Sequence, residues 1–413
     1  MKISVIEPGG LNIELAILFA SKGHDVGYYS EFREAFPAGI REKMGTGFPG
    51  VTRFIMISEA LEHGDIIICP DTYSQDYLAL ARKYSKPTWG AGHAERLEQD
   101  RLFGKQMFKS LGLPVGKYYH GTGVDELEYC LKHNKDLYIK FPGAFRGTME
   151  TKHHYDWQKT KREWWGQLLS DLGPEMDKIN WLAEEPVDNV MEVAVDQMNI
   201  LGIGSLPTLI GIEAKDVAYL GKIFNTVPPI LQYTTDALTP FLRSCQAKTF
   251  FSPEGFITKD KKFILSDPCL RTGHPVSSVQ LKIYGNLCEY MCRAALNNLP
   301  EGFLIKPTHT YGIALEIESE ALDDSWLEVQ FDPKRRKNVH LQCARQDGDA
   351  YFVIPKAFLA ATIVGLGNTI EAAEKEVHDT LKDFSCEGIH YDLDALNGIK
   401  EQMKLGKTVG INF

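Results

Sequence analysis

Short apolar runs and amphipathic stretches alternate along the N-terminal part of the chain. "KISVI", "HDVGYYS", "GDIIICP" and "KPTWG" read as strands, rich in β-branched and aromatic residues. "LNIELAILFASKG" and "YSQDYLALARKYS" read as helices, the first stopping at Gly23. Strands separated by helices imply parallel pairing, and so an open α/β sheet.

The middle of the chain changes its punctuation. "HAERLEQDRLFGKQMFKSLGLP" predicts one helix with Leu97, Phe103, Met107 and Leu111 on a face, ended by Gly112 and Pro114. "DLYIKF" is a strand that carries Lys140 between apolar positions and enters the glycine-containing loop "PGAFRGTMETKHH". A strand lysine beside such a loop suits phosphates, because the loop supplies backbone N–H groups; an edge-strand lysine facing solvent is the other reading. "YDWQKTKREWWGQLLSDLG" predicts a helix whose Trp157, Trp164, Trp165, Leu168 and Leu169 form a core stripe. "INWLAEE" and "MEVAVDQMNILG" read as strands, the second carrying Glu192 near its start. "KTFFSPEGFITKDKKFILSDP" is a hairpin, and "SSVQLKIYGNLCEYMCRAAL" a helix after it. From about residue 301 strands dominate, joined by one helix, "NTIEAAEKEVHDTLKDF". Asn368 and Glu371 occupy its capping-box positions, and Ile370, Ala373, Val377, Leu381 and Phe384 form its apolar face.

Composition narrows the class. A chain of 413 residues exceeds one ordinary hydrophobic core, so two or three domains are expected. The formal charge of -10 argues against a nucleic-acid surface, while leaving room for a local basic groove. The eight cysteines show no CxxC pair, and Cys288 and Cys292, one helical turn apart, read as core. Scattered thiols suggest a reducing compartment. "MKISVIEPGG" is no signal peptide and no apolar run would span a bilayer, so a soluble, cytoplasmic protein is expected, without membrane contact.

Two cofactor chemistries can be weighed on motifs alone. "EPGGLN" follows the first strand and Glu31 stands where a ribose-binding acid would fall, but GxGxxG is missing and a tight turn explains the glycines. A nicotinamide cofactor is therefore not expected. Asp267, Cys269 and His274 in "ILSDPCLRTGHP" offer zinc-compatible residue types, yet no further ligand lies nearby in sequence.

Five segments in order resemble the ATP-grasp ligases, specifically the glycinamide ribonucleotide synthetases (phosphoribosylamine–glycine ligases). "AERLEQDRLFGKQMFKSLGLPV" is similar to that family's LE-x-SK-x-F-x-K helix and "DLYIKF" to its IKAD strand. "AEEPVDNVMEVAV" resembles its hinge and following acid-bearing strand, and "ILSDPCLRTGHP" its E-x-N-x-R-F-G-D-P run. "VGLGNTIEAAEKEVHDTLKDFSCEGIHYDLD" resembles its terminal strand and helix. The resemblance implies an ATP-grasp fold, preceded by an open parallel α/β domain and followed by a small mixed C-terminal domain. The boundaries it suggests are 1–93, 94–300 and 301–413, with a glycine-loop and hinge subdomain at about 117–195.

It also implies an ATP-dependent carboxylate–amine ligase of purine-biosynthetic type that works through an acyl phosphate with Mg²⁺ or Mn²⁺, as a monomer or homodimer. Its substrates would be a small carboxylate and a small amine. Arg101, Lys140 and Arg146 would face phosphates, Glu184, Glu185 and Val187 the adenine, and Glu192 the ribose. Asp267 and Cys269 stand where the family holds its metal, and Arg271 where it meets the acyl phosphate. Lys215 matches a further phosphate-side lysine or is simply exposed. The departures fall on the substrate side: "GGLNIELA" for "GGREHA", "NTVPPI" for "NTGGMG", "RTGHPV" for "RFGDPE" and "YD" for "YR" at Tyr391 and Asp392. They imply a changed acid or amine, or an ATP-binding homologue without ligase turnover.

Overall fold

The N-terminal apolar runs form a parallel sheet: β1 (Lys2–Glu7), β2 (Asp25–Ser30), β3 (Val51–Phe54), β4 (Ile66–Ile68) and β5 (Thr88–Trp89), in the order β3-β2-β1-β4-β5. α1 (Ile13–Ser21), α2 (Ile57–His63) and α3 (Gln75–Lys83) join them. Ile3, Val5 and Ile66 to Ile68 are fully buried, as expected for strands covered on both faces. β3 and α2 were not foreseen: β3 is a half-exposed edge whose "VTRF" lacks an apolar run, whereas α2 carries Ile57, Ala60 and Leu61 at helical spacing before Gly64.

The computed structural model describes residues 1–30, 43–141, 151–323 and 325–413. Contacts divide the chain into two units: Met1–Ala94 with Glu192–Pro253 and Cys269–Phe413, and Glu95–Met191 with Glu254–Pro268.

In the smaller unit, β6 (Tyr118–Thr122), β7 (Leu137–Lys140), β8 (Thr151–His154) and β9 (Asn180–Glu184) make a four-stranded sheet in the order β6-β9-β7-β8. One face packs the expected tryptophan stripe: Trp164, Trp165 and Leu168 meet Leu137, Ile139 and Trp181 in one buried cluster, with Trp157 against it. The helix foreseen from His93 onward is broken at Asp100, whose carboxylate accepts from Phe103 N at 2.9 Å and starts a new helix, α4 (Arg101–Ser110). Aspartate is a better cap than a mid-helix residue, and this local bond outweighs continuation.

The larger unit continues from β10 (Asn189–Ile200) into β11 (Thr208–Ala214) and β12 (Ala218–Phe224). The hairpin β13 (Glu254–Thr258) and β14 (Phe263–Asp267) belongs to the smaller unit. After it come α5 (Val276–Ile283), α6 (Leu287–Ala295), β15 (Tyr311–Ser319), β16 (Val339–His340), β17 (Ala361–Gly367) and α7 (Ile370–Lys382). Within the larger unit β10, β11, β12, β15, β17 and β16 pair antiparallel in that order. Two glycines let helices close on this sheet from opposite sides. A Cβ on Gly312 would lie 2.3 Å from Val279 of α5, and one on Gly365 would lie 2.1 Å from the Ala373 carbonyl of α7. Cys288 and Cys292 are buried, in keeping with core packing. Among the described residues no helix is long and apolar enough to cross a membrane.

Two further expectations need correction. The helix foreseen after Pro275 is two helices, because the backbone leaves helical geometry at Tyr284, the C-cap of α5, and restarts after Asn286. The cap of α7 is Thr369, not Asn368: its hydroxyl accepts from Ala372 N at 3.2 Å, one residue later than the capping-box reading. Replacing Thr369 by Ala is expected to cost about 1 kcal/mol. Asn368→Ala should cost less than about 0.5 kcal/mol. Urea midpoints of the two variants test the assignment, and equal losses would contradict it.

Candidate functional site

β9 alternates. Trp181 and Ala183 enter the core, while Leu182 and Glu184 face the other side of the sheet. Pairing fixes their neighbours: Leu182 lies between His120 and Lys140, and Glu184 between Tyr118 and Tyr138. Lys140 Nζ sits 2.7 Å from Glu184 Oε2. α4 supplies a second lysine, because Lys105 Nζ pairs with Glu184 Oε1 and donates to the Leu265 carbonyl at 3.4 Å. One turn earlier on α4, Arg101 Nη1 lies 3.0 Å from Asp267 Oδ2 at the end of β14. Positions four apart share a helix face, so α4 presents both cations together.

Burial makes this arrangement expensive unless it is fully paired. Lys105 is 3% exposed. Burial pulls its ammonium below the ordinary lysine value, against the raising influence of Glu184. Burial pushes the Glu184 carboxyl up, but Lys140 and Lys105 outweigh it and hold the group below the usual carboxylate range. Arg101, Lys105 and Lys140 thus gather around Glu184 and Asp267. Beside them lies a cavity of about 250 Å³, lined by Arg101, His120, Lys140, Phe141, Asn180 and Leu182. Sites that enclose a whole drug-sized ligand run to roughly 300–1,000 Å³, so this one suits an anionic portion of a ligand.

No family model matches the chain, and no curated protein matches it in sequence. Solved structures match over nearly its whole length. Phosphoribosylamine–glycine ligase from Thermotoga maritima superposes with a TM-score of 0.70 at 14% identity, over 95% of this chain and 99% of that one. L-amino acid ligase from Bacillus licheniformis gives 0.62 at 16%, over 95% and 98%. The biotin carboxylase domain of Hydrogenobacter thermophilus 2-oxoglutarate carboxylase, solved with MgADP, ADP and bicarbonate, gives 0.69 at 13%, over 99% and 98%. The fold is that of the ATP-grasp ligases.

The ATP-grasp resemblance had nominated residues that the structure now locates. Arg101, Lys140, Glu184 and Asp267 come together in the smaller unit, as described. Glu184, expected at the adenine hinge, bridges two lysines and faces away from the core. Glu185 pairs with Lys117 and accepts from Tyr119 Oη at 2.9 Å, and its own N–H donates to the Lys117 carbonyl at 3.0 Å. The Val187 carbonyl accepts from Asn189 Nδ2 at 3.0 Å. Glu192 lies half-buried in the part of β10 that belongs to the larger unit. Arg271, also in that unit, has Nε 3.9 Å from Asp71 Oδ1. Cys269 adopts φ +21°, and its thiol lies 4.0 Å from the Arg271 carbonyl. Lys215 is in the turn between β11 and β12, with a side chain 71% exposed and Glu213 3.6 Å away. Arg146 and Glu31 lie outside the described residues.

Lys105 was missed as a site residue. Its signal was present: it falls on the last lysine of the ATP-grasp LE-x-SK-x-F-x-K helix pattern. Sequence pattern alone gave no reason to expect its burial.

The larger unit carries a second feature at the C-terminal edge of its parallel sheet. Glu7, ending β1, accepts from Leu11 N at 2.9 Å, Asn12 N at 2.8 Å, Asn12 Nδ2 at 3.1 Å and Tyr28 Oη at 2.6 Å. Its carboxylate thus takes two backbone donors just before α1, at a helix start whose dipole favours negative charge. Burial pushes the Glu7 carboxyl up to about 7, against those hydrogen bonds.

Two predictions follow from these charges. Glu184→Gln leaves the buried Lys105 ammonium and the partly exposed Lys140 ammonium without their shared carboxylate and should destabilise the smaller unit by about 3–5 kcal/mol. Urea unfolding measures it, and a loss below about 1 kcal/mol would contradict the pairing. Because the folded-state pKa of Glu7 is raised, the native state binds the extra proton between the unfolded value of 4.5 and about 7, so its contribution falls as pH rises through that window. Glu7→Gln should remove that falling component from the stability profile; an unchanged profile would contradict it.

Proposed function

We propose that the chain is an ATP-dependent ligase that joins a small carboxylate to a small amine through an acyl phosphate. The observation that carries this reading is the group Arg101, Lys105 and Lys140, held by Glu184 and Asp267 beside an anion-sized cavity. In such a reaction the substrate carboxylate oxygen attacks the γ-phosphorus of ATP and ADP leaves. The amine nitrogen then attacks the acyl carbon, phosphate leaves, and the amine gives up a proton. Lys140 and Lys105 stabilise negative charge developing on the transferred phosphoryl group, and Glu184 fixes them beforehand, so little reorganisation is needed at the moment of reaction.

ATP fits these residues, and it would enter as its Mg²⁺ or Mn²⁺ complex. A protein-held metal fits less well. Asp267 is engaged by Arg101, Cys269 offers sulfur to a cation that prefers oxygen, and among the described residues no three His, Cys, Asp or Glu side chains are placed to hold an ion. No step is therefore assigned to a metal at that corner. The same observation favours a second reading, an ATP-binding homologue that does not turn over.

Within the ligase reading, Glu7 supports a changed partner for the reaction. A phosphorylated amine of the purine pathway would meet a carboxylate, and donors already occupied, in front of α1. An amine or acid without a phosphate is the better fit. The test is release of ADP and phosphate on incubation with ATP, MgCl₂ and panels of carboxylates and amines. Turnover with one pair is expected, and Lys140→Ala should lower it at least 100-fold, about 3 kcal/mol of transition-state stabilisation. Tight ATP binding with silence across the panel would favour the second reading, and full activity of Lys140→Ala would remove the site.

A further inference from the structure

In the larger unit, Glu316 of β15 pairs across to Thr362 of β17, and Thr362 pairs in turn to His340 of β16. Directly paired residues point to the same face of a sheet, and this is the face of Gly312, which α5 covers. The three side chains therefore form a row beneath that helix. All are 1–2% exposed. Neither carboxylate oxygen of Glu316, neither ring nitrogen of His340, nor the Thr362 hydroxyl has a hydrogen-bond partner. Buried polar groups are nearly always satisfied, so such atoms on three neighbouring side chains call for a bound molecule, water or ligand.

The row connects to solvent through His274. Its Nε2 is 2.6 Å from Glu316 Oε1, but the alignment is too poor for a hydrogen bond, and its Nδ1 is 2.9 Å from Gln342 Nε2. The His274 side chain is 20% exposed and packs edge-on to Phe358, itself 62% exposed.

We propose that this row is a binding site for a primary ammonium group, carried by a small amine that enters past His274. Glu316 supplies a negative charge, Glu14 near His340 being paired with Arg336, while Thr362 and a neutral His340 supply acceptors on either side. Burial keeps the His340 imidazole neutral, pushing it down to about 3. The cations nearby have other partners: Arg336 pairs with Glu14 at 2.8 Å, and Lys282 donates to the Val339 carbonyl at 3.2 Å. Adjacent strands lie about 4.8 Å apart. An ammonium seated over Thr362, with hydrogen bonds of about 2.8 Å, therefore reaches both neighbours. A single carboxylate matches one positive charge. A divalent ion would demand more oxygen ligands, and His274, His340 and Glu316 do not converge closely enough to hold a metal.

Identifying this amine with the acceptor of the ligase reaction rests on the ligase reading; the binding itself does not. Equilibrium dialysis of the full chain against radiolabelled methylammonium chloride, at ionic strength fixed with sodium chloride and without ATP, tests the site directly. One saturable site per chain is expected, weakened at least 10-fold by Glu316→Gln and about threefold by Thr362→Val. Both variants should keep wild-type ATP affinity, which shows that they fold. Absence of saturable binding, which would leave ordered water as the occupant, would overturn the proposal. So would equal competition by potassium or zinc, or undiminished binding in both variants. Methylammonium binding without any ligase turnover would remove the ligase reading and leave this site standing.

Discussion

The Glu184 carboxylate, held between the ammonium groups of Lys105 and Lys140, is the constraint on which the candidate site depends. Two lysines cannot be buried side by side without an anion, and here one strand residue supplies it from the sheet face opposite the tryptophan core. The alternation of β9 places Trp181 and Ala183 in that core and leaves Glu184 no other direction. Packing and electrostatics are thereby joined: the core fixes the strand, the strand aims the carboxylate, and the carboxylate fixes two cations. A buried pair of this kind contributes little net stability, because desolvation offsets the attraction. In the ligase reading proposed above, its value is preorganisation, with cations already in place before a polyphosphate arrives.

The second corner has a different logic. Arg101 and Asp267 satisfy each other at 3.0 Å, so a guanidinium occupies the carboxylate that a metal would need. At the other end of the chain's chemistry, Glu7 fills the anion-binding position before α1 with a carboxylate of the protein itself. In the reading proposed above, both features lower the capacity for external anions or cations at places where the family resemblance had raised it. They concentrate the candidate phosphate chemistry on the lysines around Glu184.

Much of the fold was legible because its strands are buried on both faces. "KISVI" and "GDIIICP" can only be central strands, and five weak motifs in order pointed to the architecture that solved structures of about 14% identity share. The edge strand at Val51–Phe54 was not legible, since half-exposed strands carry no apolar run. Helix breaks at Asp100 and after Ile283 were missed because side-chain caps and tertiary contacts, not apolar periodicity, decide where a helix stops. For the site, Arg101, Lys140 and Asp267 were readable from motif position, whereas the bridging role of Glu184 and the burial of Lys105 required the third dimension. The row of Glu316, Thr362 and His340 could not be read at all, because it is assembled by register across three strands that are separated in sequence.

The central claim is that Lys105 and Lys140 together receive the phosphates of ATP. Calorimetric titration of MgATP into the wild type and into the Lys105→Met/Lys140→Met double variant tests it without requiring any knowledge of the acid or amine. The account predicts one saturable site in the wild type and a loss of at least 100-fold in affinity in the variant, with its thermal unfolding still cooperative. Unchanged MgATP affinity in the double variant would contradict it.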